Sequence, residues 1–272
     1  MAVALRGPLP LSALASDLRA RAFGMGGGAL ARPRRIGVEV ELIVLAADTH
    51  APVPIPADEG LSSLRLLRRF GARRGWTERF SPYGPPCFVL PDGGVVSFEP
   101  GGQIELSAAP SASASALLAS VRATVLALRA AAREEGIEIL STGIDPHNPV
   151  EEVPLQLRGP RYGRMAEYFA AIGPQGARMM RQTASIQVSL DWEGETPLRW
   201  RVLNAAAPYL VAIFANSPTY AGAPTGHRSI RAHAWRELDT ARTGVFRCTG
   251  DAAAEYLTFA LAAPAILRGG DG

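Results

Sequence analysis

The sequence predicts an α+β fold: an antiparallel sheet with one carboxylate-lined face and helices packed on its other side. Three observations carry that prediction. Residues 35–45 and 103–107 alternate apolar and polar side chains with the period of two that a half-buried strand requires. Phe88-Val89-Leu90 and Val95-Val96-Ser97-Phe98 flank Asp92-Gly93-Gly94, which is a hairpin signal. Helical stretches are inserted between such strands with no clear linker and no internal repeat, so residues 1–272 read as a single domain.

The elements follow in order. Ser12 to Phe23 has an amphipathic helical pattern that Gly24 stops, and Met25 to Ala31 reads as a flexible joint. A strand from Arg35 to Leu45 comes next, then a Pro-rich loop from Ala51 to Ala57. Asp58 is placed to cap a helix running to about Arg74. After the hairpin, Pro100-Gly101-Gly102 predicts a turn leading into Gln103 and Glu105. Ser111 or Ser113 opens a long helix to Glu135, with Gly136 as its terminator. Ile137 to Gly143 and Ala184 to Asp191 read as further strands. Helices are expected over Arg164 to Ile172, Pro197 to Ala215, Ser229 to Glu237 and Ala252 to Leu267.

Composition narrows the function classes. Nearly half the residues are apolar and the charged fraction is ordinary, which describes a folded chain with an ample core. A net charge of +3 could suit an anionic partner, but all 28 basic residues are Arg and they are scattered. No basic stripe carries interleaved aromatics, so nucleic acid is not an expected partner. Cys87 and Cys248 make neither a metal spacing nor a disulfide framework. Asp17 and Arg19 break the apolar start, and Arg122 and Arg129 interrupt the longest apolar run. The expectation is a soluble cytoplasmic protein with no membrane partner; oligomeric state is not legible.

The chemistry concentrates in two motifs. Glu39 and Glu41 project from one face of the first strand, while Val38, Val40 and Leu42 fill the other. Glu99-Pro100-Gly101-Gly102-Gln103-Ile104-Glu105 adds two more carboxylates, with glycines that allow close backbone approach to a ligand. Carboxylates crowded on one sheet face repel one another unless a cation sits between them. Oxygen donors without His or Cys point to a hard ion, Mg²⁺ or Mn²⁺. Glu-x-Glu alone also describes a strand with one solvated face, and the second motif moves the reading toward a metal site.

The second half supplies cations and aromatics. Arg161-Tyr162 precedes a helix, and Met179-Met180-Arg181-Gln182-Thr183 leads into the strand that carries Gln187 and Asp191. Ser229-x-Arg231-x3-Trp235-x3-Asp239-x2-Arg242 places Arg231 and Trp235 four apart on one helical face, with Arg242 expected to converge on the same side. Arginine forks suit carboxylates and phosphates, although each Arg taken singly also reads as a surface ion pair. Met179 and Met180 read as core. His147, His227 and His233 lack ligand spacing and read as structural or exposed.

These motifs resemble the plant and proteobacterial type of glutamate–cysteine ligase, over about Gly37 to Pro264. The resemblance rests on Gly37 to Glu41, Phe98 to Ser107, Arg161-Tyr162, Met179-Met180 and Thr183 to Asp191 with Gln187-Val188. It continues through Phe214-Ala215-Asn216-Ser217-Pro218, Ser229 to Gly244, Tyr256, Ala260-Leu261 and Pro264. It implies a glutamine-synthetase-like carboxylate–amine ligase fold, in a single catalytic domain. The implied reaction joins the γ-carboxyl of L-glutamate to L-cysteine with ATP, via γ-glutamyl phosphate, as the first step toward glutathione or ergothioneine. Glu39, Glu41, Glu99 and Glu105 would hold Mg²⁺ (or Mn²⁺), with Arg231 and Arg242 on the glutamate carboxylate or transferring phosphoryl. Gln103, Arg161, Tyr162, Gln187 and Trp235 would shape the substrate pockets. The family's lysine shortly before Arg161 is replaced here by Gly159-Pro160, and its late motif with another Glu is not present by Gly272. The expectation is therefore a carboxy-terminally incomplete chain. Two alternatives stay open: a sister ligase for another amine, and a non-catalytic nucleotide-binding paralogue.

Overall fold

The alternation around Glu39 becomes the central strand of a sheet, β1 (Ile36–Ala46), in a computed structural model that describes residues 10–23, 34–82, 84–191, 195–248 and 250–266. β5 (Ile104–Ser107) pairs with β1 over Glu39–Leu42, β6 (Ile137–Leu140) over Ile43–Ala46 and β7 (Ile186–Leu190) over Ile36–Val40. From β5 the sheet runs outward through β4 (Val95–Phe98), β3 (Cys87–Val89) and β2 (Thr77–Arg79). Every pairing among these strands is antiparallel, so the fold is α+β with an antiparallel sheet, as the alternation required.

Register assigns the two faces. Val38, Val40, Leu42 and Val44 share a face with Phe88, Val96, Leu106 and Ile139, and all eight are buried. Two helices cover that face: α2 (Ser63–Ala72) with Leu66, Leu67 and Phe70, and α3 (Ala114–Glu134) with Leu117, Val121 and Leu128. Each such side chain contributes on the order of 1.5–3 kcal/mol by leaving water. Glu41 lies directly opposite Glu105, and Glu105 opposite Ser97, so the other face carries the acids. A slip of one residue in β1 would bury both of its glutamates in the apolar core, which fixes the register.

Several boundaries moved for identifiable reasons. The helix assigned to Asp58 starts instead after Ser62, whose hydroxyl accepts from the Arg65 amide; Gly60 at φ 71° bars a helical path before it. Ser113 caps α3 by accepting from the Ala116 amide, and Gly136 follows the helix at φ 74°. α3 has the length and mean hydropathy of a membrane span. Its apolar stripe packs on the sheet, however, and Arg129 donates to the Ile139 carbonyl at 2.9 Å. Strand β2 and the short hairpin β8 (Thr219–Tyr220) and β9 (Ala223–Pro224) were not foreseen; two and three residues carry too little periodicity to read.

By its internal contacts the chain, expected as a single domain, divides into two compact units. The larger spans Pro33–Leu190, Ala215–Asp239 and Ala265–Gly272. It holds the sheet, α2, α3, α4 (Pro160–Ile172), α5 (Gln175–Gln182) and α7 (Ile230–Arg236). The smaller comprises Met1–Arg32, Asp191–Phe214 and Thr240–Pro264, with α1 (Leu11–Arg21), α6 (Thr196–Phe214) and α8 (Ala252–Ala262). Within it Trp200 packs edge-on against Phe246 and Tyr256, with ring centroids 4.6 and 5.7 Å apart. Gly24 and the joint from Met25 to Ala31 lie outside the described residues, and the last helix, expected to reach Leu267, ends at Ala262, where Ala263 turns extended.

Candidate active site

A cavity of about 510 Å³ opens over the acidic face of the sheet, entirely within the larger unit. β1 contributes Glu41, the β4–β5 turn Glu99 and Gln103, and β5 Glu105. Arg161 and Tyr162 reach it from the first turn of α4, Gln187 from β7, and Arg231 and Trp235 from α7. Nine of the eleven residues singled out in the sequence thus line one space. Glu39 stands beside it, opposite Gln187 in register, and its charge acts on both Glu99 and Glu105.

The acids are not equivalent. Glu41 is held by β7 and the residue before it: its Oε2 accepts from the Ser185 amide at 2.8 Å and the Ser185 hydroxyl at 3.1 Å, and its Oε1 from Gln187 Nε2 at 3.2 Å. Glu105 Oε1 accepts from the Ser97 and Ser107 hydroxyls at 3.3 and 3.2 Å. Burial pushes Glu105 above the usual carboxylate range, Ser107 pulls it back, and the charges of Glu39 and Glu41 raise it further. Glu99 is pushed up to about 7, first by burial and then by Glu105 and Glu41, with Arg161 opposing. Among the described residues, no three His, Cys, Asp or Glu side chains stand as a ready-made metal cluster.

A cation, Arg231, lines the same cavity as the acids. Arg231 Nε is buried with no hydrogen-bond acceptor among the described residues, and its guanidinium lies 5.7 Å from the Trp235 ring centroid. Burial lowers the Arg231 pKa, and the field of Glu41 partly restores it. The cation is thus held where a buried anionic group would meet an unspent N–H donor.

Arg242, Gln103 and the paired glycines each have partners of their own within the fold. α7 ends at Arg236, and Arg242 falls in the smaller unit, where it donates to the Pro264 carbonyl. Gln103 spends both ends of its amide on backbone, accepting from the Gly101 amide at 2.9 Å and donating to the Thr183 carbonyl at 2.8 Å. It fixes the turn and the α5–β7 junction. The glycines make room for protein rather than ligand: a Cβ on Gly101 would lie 1.9 Å from the Arg181 carbonyl oxygen, and one on Gly102 would meet Gln156 at 2.2 Å. Gly101→Ala is therefore expected to cost about 1–3 kcal/mol or more in urea unfolding, as an over-packed site does. An unchanged midpoint would show that the turn can move freely away from α5.

Ser185, Met165, Met179 and Met180 also line the cavity and were not assigned to it. Ser185 was legible in principle, since it lies two residues before Gln187 in a period-two segment. The methionines carried no such signal, because an apolar side chain at a cavity wall has the same pattern as one in a core. Cys87 and Cys248 are free thiols.

Comparison with known proteins agrees with this geometry. The profile of glutamate-cysteine ligase family 2 (GCS2) matches residues 35–272. The chloroplastic glutamate–cysteine ligase of Arabidopsis thaliana is 36% identical over 236 residues, 85% of this chain and 44% of that protein. Its Nicotiana tabacum counterpart is 36% identical over 174 residues, 62% of this chain and 33% of that protein. Chloroplastic glutamate–cysteine ligase B of Oryza sativa subsp. japonica is 35% identical over 174 residues, 62% of this chain and 35% of that protein. The chain thus spans less than half the length of these relatives. The cytoplasmic expectation does not survive this finding, since these relatives are named as chloroplastic proteins. With a family profile covering the whole acidic sheet, Arg161 and the Arg231 helix, the chain belongs to glutamate-cysteine ligase family 2.

Proposed function

We propose that the whole protein uses ATP to join the γ-carboxylate of L-glutamate to the amine of L-cysteine, giving γ-glutamylcysteine, ADP and phosphate. The observation that carries this reading is the single cavity that gathers Glu41, Glu99, Glu105, Arg161 and Arg231. A carboxylate is a poor electrophile, so one of its oxygens first takes the γ-phosphoryl group and ADP departs. The amine nitrogen then bonds to the activated carbonyl carbon and loses its proton, and phosphate leaves with the former carboxylate oxygen. Phosphoryl transfer asks a protein chiefly for positioning and for neutralisation of charge.

The residues fit a hard divalent cation. Burial, with the charges of Glu105 and Glu41 behind it, holds Glu99 at about 7, which an adjacent cation would oppose, and the donors are all oxygens. Mg²⁺ needs only one or two carboxylates when phosphate oxygens and water complete its shell, so no three-acid cluster has to be preformed. Glu99 and Glu105 would hold it, with Glu41 lining the same cavity and Glu39 beside it. Once bound, Mg²⁺ supplies Lewis-acid neutralisation of phosphate charge. Ser185 and Gln187 orient Glu41, and Arg231 presents its unspent N–H to the glutamate carboxylate or the transferring phosphoryl.

The route predicts where an isotope goes. With [¹⁸O]-γ-carboxyl glutamate, cysteine and Mg-ATP, the whole protein is expected to deliver one ¹⁸O into the released phosphate. Phosphate without ¹⁸O would exclude the acyl phosphate route, and equal turnover with amines of unrelated shape would exclude cysteine as the specific acceptor.

A further inference from the structure

Glu41 and Glu99 belong to different elements, β1 and the β4–β5 turn, and one short segment between α5 and β7 is tied to both. Its Thr183 carbonyl accepts from Gln103 Nε2 at 2.8 Å, while Gln103 Oε1 accepts from the Gly101 amide in the Glu99 turn at 2.9 Å. Two residues further on, the Ser185 amide and hydroxyl hold Glu41 Oε2. Residues 183–185 thus serve as a common support for two acids that act on one another. Behind this support lies a set of buried polar groups with no part in the proposed reaction. Gln182 is fully buried, and its Nε2 donates to the Asn148 carbonyl at 2.7 Å. Asn148 Nδ2 donates to Asp145 Oδ2 at 2.8 Å and to the His50 carbonyl at 2.9 Å. Asp145 Oδ1 accepts from the His147 and Asn148 backbone amides at 2.9 and 3.2 Å, and the Asp145 amide returns to the Gln182 carbonyl at 2.9 Å. Ile144 bridges Thr183 beside it. Asp145, Asn148 and Gln182 are all buried, and none of the three lines the cavity.

We propose that Gln182 and Asn148 are positioning residues: through residues 183–185 they set where the Glu99 turn stands relative to Glu41. The consequence for turnover rests on the ligase reading above; the coupling between the supports of the two acids does not. Hydrogen bonds are directional where apolar packing is not, so a connected buried network holds a backbone in one place. Burying a carboxylate and two side-chain amides is costly unless each finds partners, and here each does. A displacement of about 1 Å at a reacting centre costs on the order of 10²-fold in rate, even when its cause is remote. Gln182→Met keeps the volume but removes the donor to Asn148, so the shared support loses its anchor.

The test reads geometry and turnover separately in the whole protein. With glycine and serine labelled with ¹⁵N, the Gly101 and Ser185 amides report the two arms, since one donates to Gln103 and the other to Glu41. Gln182→Met is expected to shift both resonances with no ligand present. Val121→Ala, a truncation in the core face of α3, should lower the urea midpoint and shift neither. In ligation, Gln182→Met should lower kcat roughly 10–100-fold while KM for glutamate stays near wild type. Adding Gln103→Met should cost less than the product of the two single losses, because both act through the Thr183 carbonyl. Asn148→Ala, which releases the Asn148 side chain from Asp145 and His50, is read in the same way where Gln182→Met does not fold. Unmoved Gly101 and Ser185 signals, losses that simply multiply, or a kcat no lower than that of Val121→Ala would each overturn the proposal. If both signals move but the wild-type protein forms no ligation product, the ligase reading fails and the coupling between the two supports stands.

Discussion

Replacing Arg231 by methionine is expected to lower kcat/KM for ligation by roughly 10²–10³-fold, the loss typical of removing one preorganised donor from a developing negative charge. Arg231→Lys keeps the charge but not the fork, and should cost about 1.5–3 kcal/mol in transition-state terms. The folded chain should not suffer. Arg231 is half-buried with its Nε–H enclosed and unpaired among the described residues, and its pKa is lowered by that burial, so the charge is held at a cost that methionine removes. Its urea midpoint should be unchanged or higher in the methionine variant. A residue kept for packing would show the opposite pattern, with activity retained and stability lost.

Glu99→Gln should separate function from stability even more sharply. In the folded chain Glu99 titrates at about 7, against 4.5 for the free side chain. Between those values the folded state binds more protons than the unfolded state, so stability falls as pH rises. The contribution is fully present below about 4.5 and gone above about 7, an upper limit of roughly 3 kcal/mol that solvent access to the group reduces. Glutamine carries no such charge, so the variant should lose this slope and be the more stable protein above neutrality, as urea titrations across the range would show. Mg²⁺-dependent turnover should meanwhile drop by several kcal/mol of transition-state stabilisation, because the proposed ligand of the cation is gone. Equal slopes in both proteins would mean that Glu99 is not buried among neighbouring acids as the structure has it.

The division of labour within β1 was legible because strand periodicity and carboxylate placement are both written in consecutive residues. Glu39 and Glu41 against Val38, Val40 and Leu42 leave one register that keeps charges out of the core. Arg231 and Trp235 were legible for a related reason, since a spacing of four fixes a helical face. Arg242 lies six residues beyond the end of α7, where no helical period constrains direction, and the chain there belongs to the other unit. Gly101 shows a different limit. Its lack of a side chain signalled close approach, but only the fold shows that the approaching group is the Arg181 carbonyl on α5. Helix α5 itself went unread: eight residues with a glycine and two arginines give too short a pattern, though its end organises Gln103 and Thr183.

Titration calorimetry of Mg²⁺ with a non-hydrolysable ATP analogue tests most directly whether the acidic face of β1, β5 and the Glu99 turn is the nucleotide–metal site. Run in buffers of different ionisation heat, it also counts protons. Binding should be saturable and Mg²⁺-dependent, and should release more protons as pH drops below about 7, because the cation favours ionised Glu99. Glu99→Gln combined with Glu105→Gln should abolish both the Mg²⁺ dependence and the proton release. Nucleotide binding of the same strength and stoichiometry in that double variant, or binding indifferent to Mg²⁺, would contradict the assignment.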